Sequence, residues 1–235
     1  MSVLGKISSR FRRETQVSRA NPTRNGQCTE FETDAWSLSR FVVDKLVPVV
    51  DVHPFPLNEL MLMAAAVCRI RPALIFEWGT HIGKSARAFH ETATHYGIAC
   101  QIHSVDLPDD TPHVEHPSGE RGRLVRGIEQ VHLHQGDGVE VSLSIWQRSG
   151  RSLPVLFFVD GDHSVDSVYR ELSGIVAEVG KPNVLLHDSF YQSSESKYNV
   201  GPHQAIERTL QEHPGRFRRL DSGLGLPGMT LLYPA

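Results

Sequence analysis

Five short apolar runs along this chain each close on an acidic residue, with helix-forming stretches between them. No other feature restricts the fold so much. Ala73-Leu-Ile-Phe76 runs into Glu77, Ala99–Val105 into Asp106 and Val131-His-Leu-His134 into Gly136-Asp137. Leu156-Phe-Phe-Val159 runs into Asp160, and Asn183–Leu186 into His187-Asp188. Short apolar strands that alternate with helices pair in parallel and are covered on both faces. The pattern therefore predicts an α/β fold with a Rossmann-like, doubly wound, mostly parallel sheet. Helices are expected at Ala35–Val47, Leu57–Arg69 and Lys84–His95, from near Arg121, and at Asp166–Val179. The breaker-rich stretch Pro48–Pro56 separates the first two. Phe217–Leu220 and Met229–Tyr233, on either side of a Gly/Pro-rich loop, form a closing C-terminal antiparallel hairpin and bring the sheet to seven strands.

In open sheets of this kind, ligands bind outside the carboxyl ends of the strands, where the strand order reverses. A single acid there is an ordinary helix cap or a solvated loop residue. Five in register repel one another unless a polyhydroxyl ligand, a cation or a metal compensates.

Composition narrows the class. A chain of 235 residues holds one sizeable domain, and 40% hydrophobic with 22% charged residues is ordinary for a globular protein. The formal net charge of -3 gives no electrostatic footprint for nucleic acid. Cys28, Cys68 and Cys100 are odd in number and far apart, which argues against a disulfide framework or zinc ribbon and suits a cytoplasmic setting. The longest apolar run, Leu60–Cys68, is too short to span a membrane. Residues 1–30 stand apart: within Met1–Arg24, Lys6, Arg10, Arg12, Arg13, Arg19 and Arg24 face the single acid Glu14. They are expected to form a flexible or partner-packed basic arm, with a transit peptide or nucleic-acid arm as the other reading. Residues 31–235 are expected to form one domain, of which 31–70 are the N-terminal helices.

The first turn reads Glu77-Trp-Gly79-Thr80-His-Ile-Gly83-Lys84-Ser85. Gly83-Lys84-Ser85 imitates the end of a phosphate-binding loop, but only three residues separate the two glycines where four are needed. Loop length sets how many amides can circle a phosphate, and Glu77 would repel a triphosphate, so the nucleotide-hydrolase reading is disfavoured. A neutral or cationic nucleoside fits better. The helix N-terminus and the Ser85 hydroxyl suit an amino-acid carboxylate. Asp106, one βα unit later, suits the vicinal hydroxyls of a ribose.

Glu77-x-Gly79-x-x-x-Gly83-x-Ser85, Asp106, Gly136-Asp137, Phe157-Phe-Val-Asp160-Gly-Asp162-His163 and Leu185-Leu-His187-Asp188 together resemble a class I S-adenosylmethionine-dependent methyltransferase. Within that superfamily the chain is similar to the metal-dependent O-methyltransferases of catechol type and of antibiotic sugars, with the cephalosporin-hydroxylase-like group nearby. The resemblance covers roughly Leu57–Leu232. It implies that Gly79 and Ser85 hold the methionine end of the cofactor and Asp106 the ribose. Asp137 would lie near the adenine, where Gly136 leaves room. Glu77, Thr80, Gly83 and Asp160 complete the implied cofactor set. Asp160 and Asp188 match two aspartates that hold magnesium in that group, with His187 or Ser189 left open as the third ligand. A histidine there also admits manganese, iron or zinc. His163 matches the general base of the sugar-methylating subgroup, and Asp162 is the competing base. His81, His103, His132 and His134 are taken as structural or surface groups.

The acceptor pocket is expected between the N-terminal helices and two long polar loops. Asp106–Glu120 carries His113 and His116, and Phe190–Pro202 carries Tyr191 and Tyr198. Such loops suit a hydroxylated small molecule, a sugar or a phenolic natural product. The sequence thus predicts a cytoplasmic, homo-oligomeric O-methyltransferase of natural-product type, without nucleic-acid or membrane partners. Two alternatives stand beside it: a redox or hydroxylase-like relative on the same fold, and a non-catalytic nucleoside-binding scaffold.

Overall fold

The computed structural model describes residues 30–111, 118–196 and 198–235. The basic arm, apart from its last residue, and His113 and His116 lie outside them. Seven strands form one sheet: β1 (Leu74–Trp78), β2 (Gln101–Asp106), β3 (Val131–Gln135), β4 (Val155–Val159), β5 (Asn183–His187), β6 (Phe217–Asp221) and β7 (Met229–Pro234). Their spatial order is β3-β2-β1-β4-β5-β7-β6. β1 to β5 pair in parallel, and β7 pairs antiparallel with both β5 and β6. The order reverses between β1 and β4, which makes the carboxyl ends of these neighbours the expected crevice.

The helices are α1 (Ala35–Phe41), α2 (Val47–Val50), α3 (Leu57–Ile70), α4 (Lys84–His95), α5 (Gly138–Arg148), α6 (Val165–Glu178) and α7 (Val200–Glu212). Residues of β1 and β4 are buried throughout, as a sheet covered on both faces requires. The two-residue period of the strand divides them. Ile75, Leu156, Phe158 and Leu185 pack with α1 to α4, whereas Phe76, Phe157, Val159 and Leu186 pack with α5 to α7.

Three local expectations are corrected. The first helical run does not stop before Pro48; it continues through a π-helical turn, Val42–Leu46, into α2. Proline has no N–H to give to the carbonyl four residues back, and the wider turn absorbs that loss. No full helix starts at Arg121. Two short 3₁₀ turns, Ser118–Glu120 and Arg123–Val125, occupy that stretch, parted by Gly122 in a left-handed conformation. The loop after β5 ends earlier than expected, because α7 begins at Val200 and takes Pro202 into its first turn. The first-turn N–H groups have no intrahelical acceptor, so a proline is tolerated there.

Candidate active site

Every acid singled out from the sequence lies at the carboxyl edge of the sheet. Glu77 is in β1, Asp106 ends β2, Asp137 follows β3, Asp160 follows β4 and Asp188 follows β5. Their surroundings differ sharply. Glu77 is fully buried; its Oε1 accepts from Ser104 Oγ at 2.5 Å, while Oε2 has no partner. Burial pushes its carboxyl up to about 8, with hydrogen bonds from Ser104 and Ser85 pulling the other way. Thr80 Oγ1 extends this chain, 2.6 Å from Ser104 Oγ. The Ser85 hydroxyl is therefore turned toward Glu77.

Gly79 explains how β1 and β4 approach each other. It has φ +97, and a Cβ placed on it would lie 2.2 Å from the carbonyl oxygen of Asp160. Only glycine satisfies both conditions. Gly83 then provides the backbone N-cap of α4.

Asp106 is held by three donors: the backbone N–H groups of Leu107 (2.8 Å) and His81 (3.3 Å), and Arg121 Nε at 3.1 Å. Arg121 also reaches Asp109 Oδ1 at 2.6 Å and the Leu107 carbonyl at 2.7 Å. Gly136 N–H donates to the Asp106 carbonyl at 3.0 Å, tying the ends of β2 and β3 together. Asp137 caps α5, accepting from Glu140 N at 3.0 Å, and pairs with Arg170 at 2.6 Å. Burial opposes ionisation of Asp137, but Arg170 and the helix N–H groups hold its carboxyl below the usual range.

The densest chemistry lies between β4 and β5. His187 closes β5 and is buried; its Nδ1 is 2.9 Å from Asp160 Oδ1 and 3.2 Å from Asp188 Oδ2. Its Nε2 is 3.0 Å from Glu59 Oε2, a carboxylate the sequence reading does not single out. Glu59 lies in the first turn of α3 and is fully buried. In a sequence, one acid at the start of an apolar helix looks like a macrodipole partner. Desolvation works to lower the His187 pKa, but the surrounding carboxylates hold it well above its ordinary value.

Asp188 adopts a left-handed backbone (φ 53), and its Oδ2 is 3.0 Å from His163 Nε2. Burial again opposes its ionisation, yet His163 and His187 hold its carboxyl far below the usual range. Its Oδ1 is buried without a partner. The hydrogen bond to Asp188 raises the His163 pKa, against the effect of burial. Asp162 instead faces the start of α6, accepting from Ser164 N (3.2 Å) and Ser164 Oγ (2.8 Å). Tyr198 presents its ring edge-on to His163, with centroids 6.4 Å apart. Ser189 Oγ accepts from Thr230 Oγ1 at 2.9 Å.

Asp160, His187 and Asp188 each offer one donor atom, and these atoms lie within 4.8 Å of one another. Neighbouring ligands at ~2.1 Å from an ion and at right angles are about 3 Å apart, and His187 Nδ1 stands at 2.9 and 3.2 Å from its two carboxylate neighbours, as adjacent ligands of a divalent ion would. The spare Asp188 oxygen strengthens the fit. Away from this edge, His103 and His134 pair at 3.0 Å through their ring nitrogens, and His103 stacks on Phe76. Burial lowers the His103 pKa to about 4, which leaves it neutral and structural.

Known proteins share this fold. The profile of the "Rhamnosyl O-methyltransferase/CmcI" family matches residues 50–222. No curated protein matches the sequence. Among solved structures, the chain is similar to CmcI in its apo form, with 20% identity over 76% of this chain and 71% of that one and a TM-score of 0.52. It is similar to CalS11, a calicheamicin methyltransferase, with 14% identity, 85% and 90% coverage and a TM-score of 0.51. The SAH-bound methyltransferase PaMTH1 of Podospora anserina follows, with 18% identity, 86% and 87% coverage and a TM-score of 0.50. At such identities these structures establish a shared fold, and the profile establishes the family. Strand order, the glycine turn and the profile match converge: the chain belongs to the rhamnosyl O-methyltransferase/CmcI family of S-adenosylmethionine-dependent O-methyltransferases.

Proposed function

We propose that this protein transfers a methyl group from S-adenosylmethionine to a hydroxyl of a small metabolite, a sugar or phenol, with a divalent ion at Asp160, His187 and Asp188. The observation that carries this reading is the 3.0 Å contact between His163 Nε2 and Asp188 Oδ2, beside the three-donor cluster. His163 is partly exposed, with 38% of its side chain accessible, so an acceptor can reach it. Asp188 holds the imidazole by Nε2–H, which leaves Nδ1 to take the proton of the acceptor hydroxyl. A bound divalent ion would lower the pKa of that hydroxyl. Asp162 is the weaker base candidate, because Ser164 already engages both of its oxygens.

The cofactor would lie along the strand edge. Gly79 gives it backbone access, Asp106 faces its ribose hydroxyls and Gly136-Asp137 border its base. Thr80, Gly83, Ser85, Glu77 and Asp160 line the turn it crosses. PaMTH1, of the same fold, is described as SAH-bound, which supports the assignment by analogy. Tyr191, stacked on His203 at 4.5 Å, and Tyr198 favour a ring-bearing acceptor. A cytoplasmic, homo-oligomeric enzyme of natural-product metabolism remains our reading of the setting. Calorimetry with S-adenosylmethionine and S-adenosylhomocysteine, paired with turnover on polyhydroxyl and catechol acceptors with and without chelator, tests it. Cofactor binding with turnover that chelation leaves unchanged would end the metal assignment. Absence of cofactor binding would end the whole reading.

A further inference from the structure

Glu59 is unusual for its place in the fold. It is a fully buried carboxylate on a helix whose neighbours Leu60, Leu62, Met63 and Ala64 form the core. A carboxylate in such a place is costly unless both oxygens are satisfied. Both are. Oε1 accepts from the backbone N–H of Gly228 at 2.7 Å, and Oε2 lies 3.0 Å from His187 Nε2. Gly228 is itself fixed, since a Cβ there would lie 2.4 Å from Phe190 Cβ and 2.5 Å from Phe190 N. Backbone packing thus sets one Glu59 oxygen, and the other sets the histidine. Phe55 closes on the imidazole edge-on, with centroids 4.8 Å apart, and leaves the ring little freedom to turn.

The consequence concerns the nitrogen at the opposite side of the ring. With Nε2–H given to Glu59, Nδ1 faces Asp160 Oδ1 and Asp188 Oδ2 at 2.9 and 3.2 Å, and an ion bound there would replace the Nδ1 proton, which is released to solvent. A carboxylate behind a histidine that ligates through its other nitrogen is a recurrent arrangement around metal ions, where it fixes the tautomer and raises ligand basicity. The unpartnered Asp188 Oδ1, on a residue only 3% exposed, independently points to a ligand at this place. One imidazole nitrogen among carboxylate oxygens favours a first-row transition ion over magnesium, which prefers oxygen alone.

We infer that Glu59 is a positioning residue that turns His187 Nδ1 toward Asp160 and Asp188, so that the three bind a first-row transition ion in preference to magnesium. This rests on the metal site proposed above and assigns its third ligand, its supporting carboxylate and its selectivity.

Mn²⁺ is the probe. Titration of the metal-free protein, read by electron paramagnetic resonance, should give binding at least about tenfold tighter than Mg²⁺ in competition. Electron spin echo modulation of the bound Mn²⁺ should show a coupled nitrogen, absent in His187→Ala. Glu59→Gln offers a single acceptor oxygen for two donors, Gly228 N–H and His187 Nε2–H. It should weaken Mn²⁺ about 10–100-fold and alter the nitrogen modulation, while S-adenosylhomocysteine affinity is retained. Bound Mn²⁺ without nitrogen modulation would overturn the inference and leave the metal site standing. Equal affinity for the two ions would overturn the selectivity, and unchanged Mn²⁺ binding in Glu59→Gln would overturn the positioning role. If wild-type protein binds S-adenosylhomocysteine but no Mn²⁺, the metal site itself fails. Should Glu59→Gln lose cofactor-product binding through misfolding, the wild-type modulation and the ion competition decide.

Discussion

His163 Nε2 lies 3.0 Å from Asp188 Oδ2, so a residue of the loop after β4 and the residue after β5 form an acid–imidazole pair at the carboxyl edge of the sheet. In the proposed mechanism the pair orients the histidine and leaves its second ring nitrogen to take the acceptor proton. His163→Ala should lower kcat by roughly 10²–10⁴. Its effect on S-adenosylhomocysteine affinity, measured by calorimetry, should be small. A variant within threefold of wild type in kcat would remove His163 from the mechanism.

Asp188 combines a left-handed backbone, a buried spare oxygen and the contact to His163. Asn tolerates that backbone better than other residues, so Asp188→Asn changes charge with little added strain. We expect the folded protein to bind S-adenosylhomocysteine normally, with metal affinity and turnover both sharply reduced. Unchanged metal affinity in this variant would show that the ion, if bound, sits elsewhere.

The close approach of β1 to β4 depends on one absent methyl group. In Gly79→Ala the new Cβ would press on the Asp160 carbonyl at 2.2 Å, and φ +97 would be strained besides. Overpacking of this kind costs about 1–3 kcal/mol, with the backbone penalty added. Urea denaturation should show a lower midpoint with an unchanged slope, and cofactor-product affinity should fall with it. A variant as stable as wild type would mean that the turn is looser than its geometry implies.

Much of this site was legible because parallel strands announce themselves locally. Lys84–His95 is the observed span of α4, and each of the five strand ends carries its acid as the sequence indicates. Locality also sets the limit. Asp137 looks the same in a sequence whether it faces a ligand or caps a helix, and here its side chain caps α5 and pairs with Arg170. Glu59 meets His187 across 128 residues, a contact made only when α3 packs on the sheet. The sequence predicts a helix from near Arg121, yet Arg121 folds back on Asp106 because Gly122 interrupts the chain beside it. Long-range polar pairs carry no period, so hydrophobic patterning cannot find them.

Glu77 makes the stability of the fold depend on pH in a direction opposite to that of a salt-bridged acid. Its carboxyl is raised by burial to about 8 from an ordinary 4.5, so the folded chain keeps a proton that the unfolded chain has released. Where the folded state binds more protons, stability falls as pH rises. The loss therefore begins near the ordinary carboxylate value and levels off above about 8, at no more than about 1.4 kcal/mol per pH unit. Glu77→Gln imitates the protonated group and has nothing to release. Denaturant midpoints for the two proteins should be close below pH 5 and should diverge in favour of the variant up to about pH 8, then run parallel. A difference independent of pH would show that Glu77 is ionised in the folded protein, with its charge satisfied by a partner that burial alone does not reveal.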